Sequence, residues 1–143
     1  MTHMKKNILV VDDSALMRRV MCDIINSDSK FQATDYCRDG LEAYEKLKHT
    51  SYDGVVLDVN MPRMDGLQLL EKLQKEGIRA NVVMVSTLTD SREADVTILA
   101  MERGAIDFVA KPTNIIEAKG EAFKRQLLGV LNAVLATQKD SRK

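Results

Sequence analysis

The chain has 143 residues, enough for one domain with a proper core. Its 21 lysines and arginines balance 21 aspartates and glutamates, so no charge excess points to nucleic acid or to a membrane surface. No apolar run approaches the roughly 20 residues of a membrane span. There is also no signal-peptide pattern, and Cys22 and Cys37 lack disulfide or metal-ligand spacing, so the chain reads as cytoplasmic with reduced thiols.

In chain order, Asn7 to Val11 forms a short buried strand that stops at Asp12-Asp13. Ser14 is a natural N-cap, and Met17, Val20, Met21 and Ile24 follow at helical spacing to about Ser27. A weaker strand spans Phe31 to Cys37. Asp39-Gly40 is a turn, after which Leu41, Tyr44 and Leu47 mark an amphipathic helix. The third strand, Gly54 to Asp58, is a β-branched run ending on an aspartate, and Pro62 and Asp65-Gly66 punctuate the loop after it. Leu67, Leu70 and Leu73 line a helix closing near Gly77. Asn81 to Ser86 is a fourth strand ending at Thr87. Val96, Leu99 and Ala100 mark a helix closed by Gly104 in the C′ position, and Ile106 to Ala110 is a fifth strand ending at Lys111-Pro112. A last helix carries Phe123, Leu127, Val130, Leu131 and Val134. Residues 137–143 are polar, and His3 and His49 read as surface residues.

Five strands alternating with five helices, with no connection short enough for a hairpin, require an α/β parallel sheet covered on both faces. The common doubly wound order for five strands is 2-1-3-4-5, and ligands bind where the order reverses, between strands one and three. Asp12, Asp13 and Asp58 end those two strands. Thr87 and Lys111 end the two beyond them.

Three carboxylates in one crevice raise one another's pKa unless a cation joins them, and an all-oxygen set suits Mg²⁺ or Mn²⁺. A metal, a lysine and a hydroxyl around one carboxylate are what phosphoryl transfer to that carboxylate needs, because the transferred group carries its charge on peripheral oxygens. Asp58 is then the nucleophile and an acyl phosphate the product. Each piece alone is ordinary: Asp-Asp pairs often sit in solvated turns, and Lys-Pro is a common loop dipeptide. Four matching strand ends together are not ordinary.

Val11-Asp12-Asp13-Ser14, Leu57-Asp58-Val59-Asn60-Met61-Pro62-Arg63-Met64-Asp65-Gly66, Ser86-Thr87 and Gly104-Ala105-Ile106-Asp107-Phe108-Val109-Ala110-Lys111-Pro112 together resemble a two-component response-regulator receiver domain. Within that family the wording is similar to the receiver of the chemotaxis protein-glutamate methylesterase. The resemblance implies a flavodoxin-like receiver fold over residues 5–136, with 137–143 a polar tail or the start of an interdomain linker. It also implies that a sensor histidine kinase, a chemotaxis kinase in this subfamily, donates phosphoryl from a phosphohistidine to Asp58. Asp13 and Asp58 would ligate Mg²⁺ with the backbone carbonyl of Asn60, Asp12 acting through water. Lys111 would pair with a phosphoryl oxygen, and Thr87 and Phe108 would form a switch pair. Such a receiver catalyses only its own phosphorylation and dephosphorylation.

The partner of such a switch would be an output or methylesterase domain. The methylesterase's serine, histidine and aspartate site is not in this chain, whose two histidines are His3 and His49. The linker-like tail fits the regulatory part of a longer protein; a stand-alone receiver is the alternative. An aspartyl phosphatase of the haloacid-dehalogenase type would want a second aspartate where Asn60 stands, and a phosphorylation-free interaction module should have lost acidic or lysine positions that this chain keeps. Methylesterase receivers often carry an acidic residue at the Asn60 position, a departure that bears on the dephosphorylation rate.

Two further expectations concern geometry. The turn at Lys111-Pro112 is expected to use a cis peptide, which X-Pro bonds adopt at low cost. Phosphorylated Asp58 is expected to draw the Thr87 hydroxyl towards it, letting the Phe108 ring move into the vacated space and altering the surface of the fourth helix, fifth strand and last helix.

Overall fold

The computed structural model describes residues 5–87 and 93–135. Its elements run β1 (Lys6–Val11), α1 (Ala15–Asn26), β2 (Phe31–Cys37), α2 (Gly40–His49), β3 (Gly54–Leu57), α3 (Gly66–Lys75), β4 (Val82–Ser86), α4 (Glu93–Glu102), β5 (Asp107–Ala110), α5 (Ile115–Ala118) and α6 (Glu121–Leu135). All strand pairs are parallel, in the order β2-β1-β3-β4-β5, as expected. The register sets Val10 beside Val56, Val56 beside Val83, and Met84 beside Phe108.

Alternation along these strands feeds two cores. Ile8, Val10, Val56, Val83, Val85 and Val109 face α1 and α6, which contribute Met21, Ile25, Phe123, Leu127 and Leu131. Leu9, Val11, Val55, Leu57, Val82 and Met84 face α2, α3 and α4, which contribute Ala43, Tyr44, Leu69, Leu73 and Ala100. Burial on both faces is why β1, β3 and β4 read as unbroken apolar runs. Ser14 caps α1 as expected, accepting the Met17 N–H. Gly104 closes α4, with the Ala105 N–H bonded to Ala100 O and the Gly104 N–H to Met101 O.

Four details differ from the sequence expectations. A bulge in β2 skips Thr34 between the partners of Ile8 and Leu9. It turns Phe31 and Ala33 towards the α1 side and Cys37 towards the α2 side, so the strand lacks a clean period. In α2, Asp39 is the N-cap rather than a free turn residue, and Leu41 points outward while Ala43 packs inside. An extra helix, α5, capped by Asn114, precedes α6, so six helices cover the sheet among the described residues. Finally, the Lys111-Pro112 peptide is trans, not cis. The chain reverses in two steps, through α5 and then into α6, which removes the tight turn that motivated a cis bond.

His49 is exposed as expected, whereas His3 and residues 137–143 lie outside the described residues. Cys22 and Cys37 are free thiols, and burial pushes the Cys37 thiol up to about 12. No helix among the described residues is long and apolar enough to cross a membrane.

Candidate functional site

Three of the acidic and basic candidates sit one residue past a strand, with their amides still in the sheet ladder. The Asp12 N–H donates to Cys37 O at 3.1 Å, the Asp58 N–H to Val11 O at 2.9 Å and the Lys111 N–H to Ser86 O at 2.8 Å. The backbone is therefore as fixed at these positions as within the sheet, and the side chains inherit that precision. The start of α1 adds to it. Ser14 N–H donates to Asp12 Oδ1 at 2.9 Å, and Arg18 Nη1 reaches back one turn to Asp12 O at 2.9 Å.

Asp12 is 0% and Asp58 3% exposed, while Asp13 faces solvent. Carboxylate oxygens of the three lie within 4.8 Å of one another. Lys111 Nζ stands 2.9 Å from Asp12 Oδ2 and 3.2 Å from Asp58 Oδ2. One ammonium thus serves two buried carboxylates, with the exposed Asp13 beside them. Burial, and next the Asp12 charge, push the Asp58 carboxyl up to about 6 although Lys111 works the other way. Burial also disfavours the Lys111 ammonium, but Asp58 and Asp12 outweigh it and hold the lysine above its usual range. A site made of hard oxygen donors with surplus negative charge fits a hard divalent cation, and this donor set fits Mg²⁺ or Mn²⁺.

The remaining candidates are near but differently placed. Thr87 follows β4 directly and is half-buried. Phe108 stands on β5 opposite Met84, half-buried against the core on the α2–α4 side. Asn60 is exposed, two residues beyond Asp58.

Sequence reading passed over three polar residues at this end of the sheet. Arg18 supports Asp12, and its guanidinium lies 5.5 Å from the Tyr36 ring centroid. The available signal was its position one helical turn after Ser14. Asp39 and Arg63 form an ion pair between the start of α2 and the loop after Asp58. A capping spacing, Asp39 three residues before Glu42, was the only hint of that role.

Comparison with known proteins adds the family. The model for the response regulator receiver domain matches residues 8–120. The protein-glutamate methylesterase/protein-glutamine glutaminase of Pyrococcus horikoshii is 45% identical over 124 residues, which are 87% of this chain and 33% of that protein. Its Escherichia coli counterpart is 50% identical over 109 residues, 76% of this chain and 30% of that protein. The chain therefore spans about a third of the length of these curated relatives. Among solved structures, the response regulator domain of Thermotoga maritima CheB superposes with a TM-score of 0.80 at 34% identity, covering 93% of this chain and 98% of that one. A chain of the CheX-CheY-BeF3-Mg complex from Borrelia burgdorferi gives 0.75 at 29% identity, covering 90% and 88%. With its sheet order, its acidic crevice and this match over most of its length, the chain belongs to the response regulator receiver domain family of two-component signalling.

Proposed function

We propose that this chain is the phosphoacceptor receiver of a chemotaxis methylesterase and that Asp58 is the acceptor. The observation that carries this is the Asp58 carboxylate itself: nearly inaccessible, crowded by Asp12 and Asp13, and held by Lys111. An Asp58 carboxylate oxygen attacks the phosphorus of a sensor kinase phosphohistidine. The P–O bond forms as the P–N bond breaks, and the imidazole leaves with that electron pair. With its pKa near 6, Asp58 is mainly ionised at neutral pH and available as the nucleophile.

Asp13, Asp58 and the backbone carbonyl of Asn60 would hold Mg²⁺ or Mn²⁺, with Asp12 acting through water. The ion, when bound, neutralises phosphoryl oxygen charge. Lys111 is already within ion-pair distance of Asp58, and it would exchange that contact for a phosphoryl oxygen. Thr87 would donate its hydroxyl to another oxygen. The half-buried position of Phe108 supports its role as the group that moves when Thr87 does. The reading extends to residues 5–136 as the receiver and 137–143 as the start of a linker to the esterase domain of a longer parent, in keeping with the one-third coverage of the methylesterase relatives.

Acetyl phosphate with Mg²⁺ should add one phosphoryl group, read by intact mass, and either a chelator or Asp58→Asn should abolish it. Labelling of the Asp58→Asn protein at the wild-type rate would overturn the assignment. Thr87→Ala should still be phosphorylated, but amide shifts on α6 should respond less. Equal responses with and without the hydroxyl would remove the Thr87–Phe108 coupling.

A further inference from the structure

The loop joining β3 to α3 contains an energetically uphill residue. Arg63 has φ +66°, in the left-handed region that non-glycine residues rarely occupy. The Met64 N–H donates to Pro62 O at 2.7 Å, closing a three-residue γ-turn of the rarer hand around Arg63. Such a conformation persists only where its surroundings hold it.

Two contacts from α2 do so. The Arg63 guanidinium pairs with Asp39 Oδ2, and the Gly40 N–H donates to Met64 O at 2.9 Å. Asp39 is 1% exposed, and its Oδ1 accepts the Glu42 N–H at 2.9 Å, so both its oxygens are fixed. The backbones approach so closely that a Cβ on Gly40 would strike the Met64 carbonyl oxygen. At its far end the loop closes on the acceptor. The Gly66 N–H donates to Val59 O at 2.8 Å, and a Cβ on Gly66 would strike the carbonyl oxygen of Asp58. The segment carrying Asn60 is therefore clamped between the start of α2 and the backbone of Asp58.

We propose that the Asp39–Arg63 pair is a latch that sets this loop for cation binding, which makes Arg63 a positioning residue for the acidic site. The inference rests on the metal-dependent acceptor reading above. Arg63 lies three residues from Asn60. If its guanidinium lets go, the γ-turn relaxes towards right-handed backbone, and the loop no longer fixes the backbone at Asn60, two residues beyond Asp58. A purely structural pair would steady α2 and leave cation affinity unchanged.

The test uses the whole chain, unphosphorylated, with Mg²⁺ affinity read by calorimetry and the Mg²⁺ dependence of acetyl phosphate labelling read in parallel. Arg63→Gly removes the guanidinium without forcing a side chain into φ +66°, and it leaves the unlatched turn free to take other conformations. It should weaken Mg²⁺ binding about tenfold, the scale of outer-shell effects on metal sites, with labelling at saturating Mg²⁺ within about twofold of wild type. Arg63→Lys should recover most of the affinity. Asp39→Asn/Arg63→Gly removes the buried charge with its partner and keeps a capping side chain, which guards against misfolding from an unpaired carboxylate. It should show the same weakened Mg²⁺ affinity as Arg63→Gly.

Unchanged affinity in both glycine variants overturns the latch. So does a loss that disappears in the double variant, since the buried charge rather than the loop would then be its cause. If wild type neither binds Mg²⁺ nor takes phosphoryl, the acceptor reading fails and the latch with it. Normal wild-type labelling with unmoved variants rejects the latch alone.

Discussion

At the end of β2 the buried carboxylate of Asp39 meets a backbone N–H and a guanidinium, while at the adjacent ends of β1 and β3 the equally buried Asp12 and Asp58 share a single ammonium. Residue type, burial and place in the fold are nearly the same. What differs is charge balance. Asp39 has one cation to itself and caps α2, whereas Asp12 and Asp58 share Lys111 and Asp13 adds a third negative charge beside them. Burial of an aspartate therefore does not mark a functional site. Buried aspartates that outnumber their cations do, because the shortfall in positive charge is what a ligand cation and a phosphoryl group can use.

Removing the one cation of the crevice should have the largest effect. Lys111→Met, measured by urea denaturation in chelator at neutral pH, should cost about 3 kcal/mol, since it strands two buried carboxylates. Lys75→Met removes a pair with Glu71 whose side chains are 74% and 45% exposed and should cost well under about 1 kcal/mol. Equal losses would mean that something other than Lys111 compensates Asp12 and Asp58.

The same chemical change should have opposite signs at the two regions. Asp58→Asn should stabilise the metal-free protein by about 3 kcal/mol well above pH 6, from a carboxyl raised from 3.8 to about 6 at about 1.4 kcal/mol per unit. Because folding raises this pKa, the stability tied to the protonated form is full below about pH 4, near the unfolded value, and is lost as pH rises through about 6. The advantage of Asp58→Asn over wild type should therefore vanish below about pH 4. Asp39→Asn keeps a good N-cap but loses its charge on Arg63, and should cost about 1 kcal/mol. Two stabilising or two destabilising results would reject the distinction.

The crowded region was legible in the sequence and the satisfied one was not. Asp12, Asp58 and Lys111 each follow an apolar run, and the strand order that such runs imply brings those ends together. Asp39 and Arg63 are 24 residues apart. Their meeting depends on a left-handed backbone at Arg63 and on a loop folding back over α2, neither of which has a periodic signature. The misread details share that cause. The bulge at Thr34 cancels the alternation of β2, α5 is a single turn too short to show a period, and the trans Lys111-Pro112 bond leads towards that helix. Leu41 is 43% exposed because the buried stripe of α2 runs through Ala43, Tyr44 and Leu47 instead.

A half-exposed carboxylate obeys the same rule with a smaller effect. Asp35, on β2 just past the bulge, has a 35% exposed side chain that pairs with Lys46 at 3.0 Å. It also accepts the Tyr52 hydroxyl at 3.0 Å and the Tyr36 N–H at 2.8 Å. Burial opposes its ionisation, but Lys46, Tyr36 and Tyr52 together outweigh that and hold its carboxyl below the usual range. A carboxyl depressed by folding contributes stability above its unfolded pKa, and that contribution is lost as pH falls through the folded value. Asp58 behaves in the opposite sense. Solvent screening limits the Asp35 effect to a few tenths of a kcal/mol. Wild type should thus be slightly more stable than Asp35→Asn at neutral pH, with the difference shrinking on acidification. Asp58→Asn loses its own advantage over the same descent, so in chelator the two variants should converge on wild type from opposite sides. Convergence from the same side would show that local charge balance does not decide which aspartates this fold stabilises as anions.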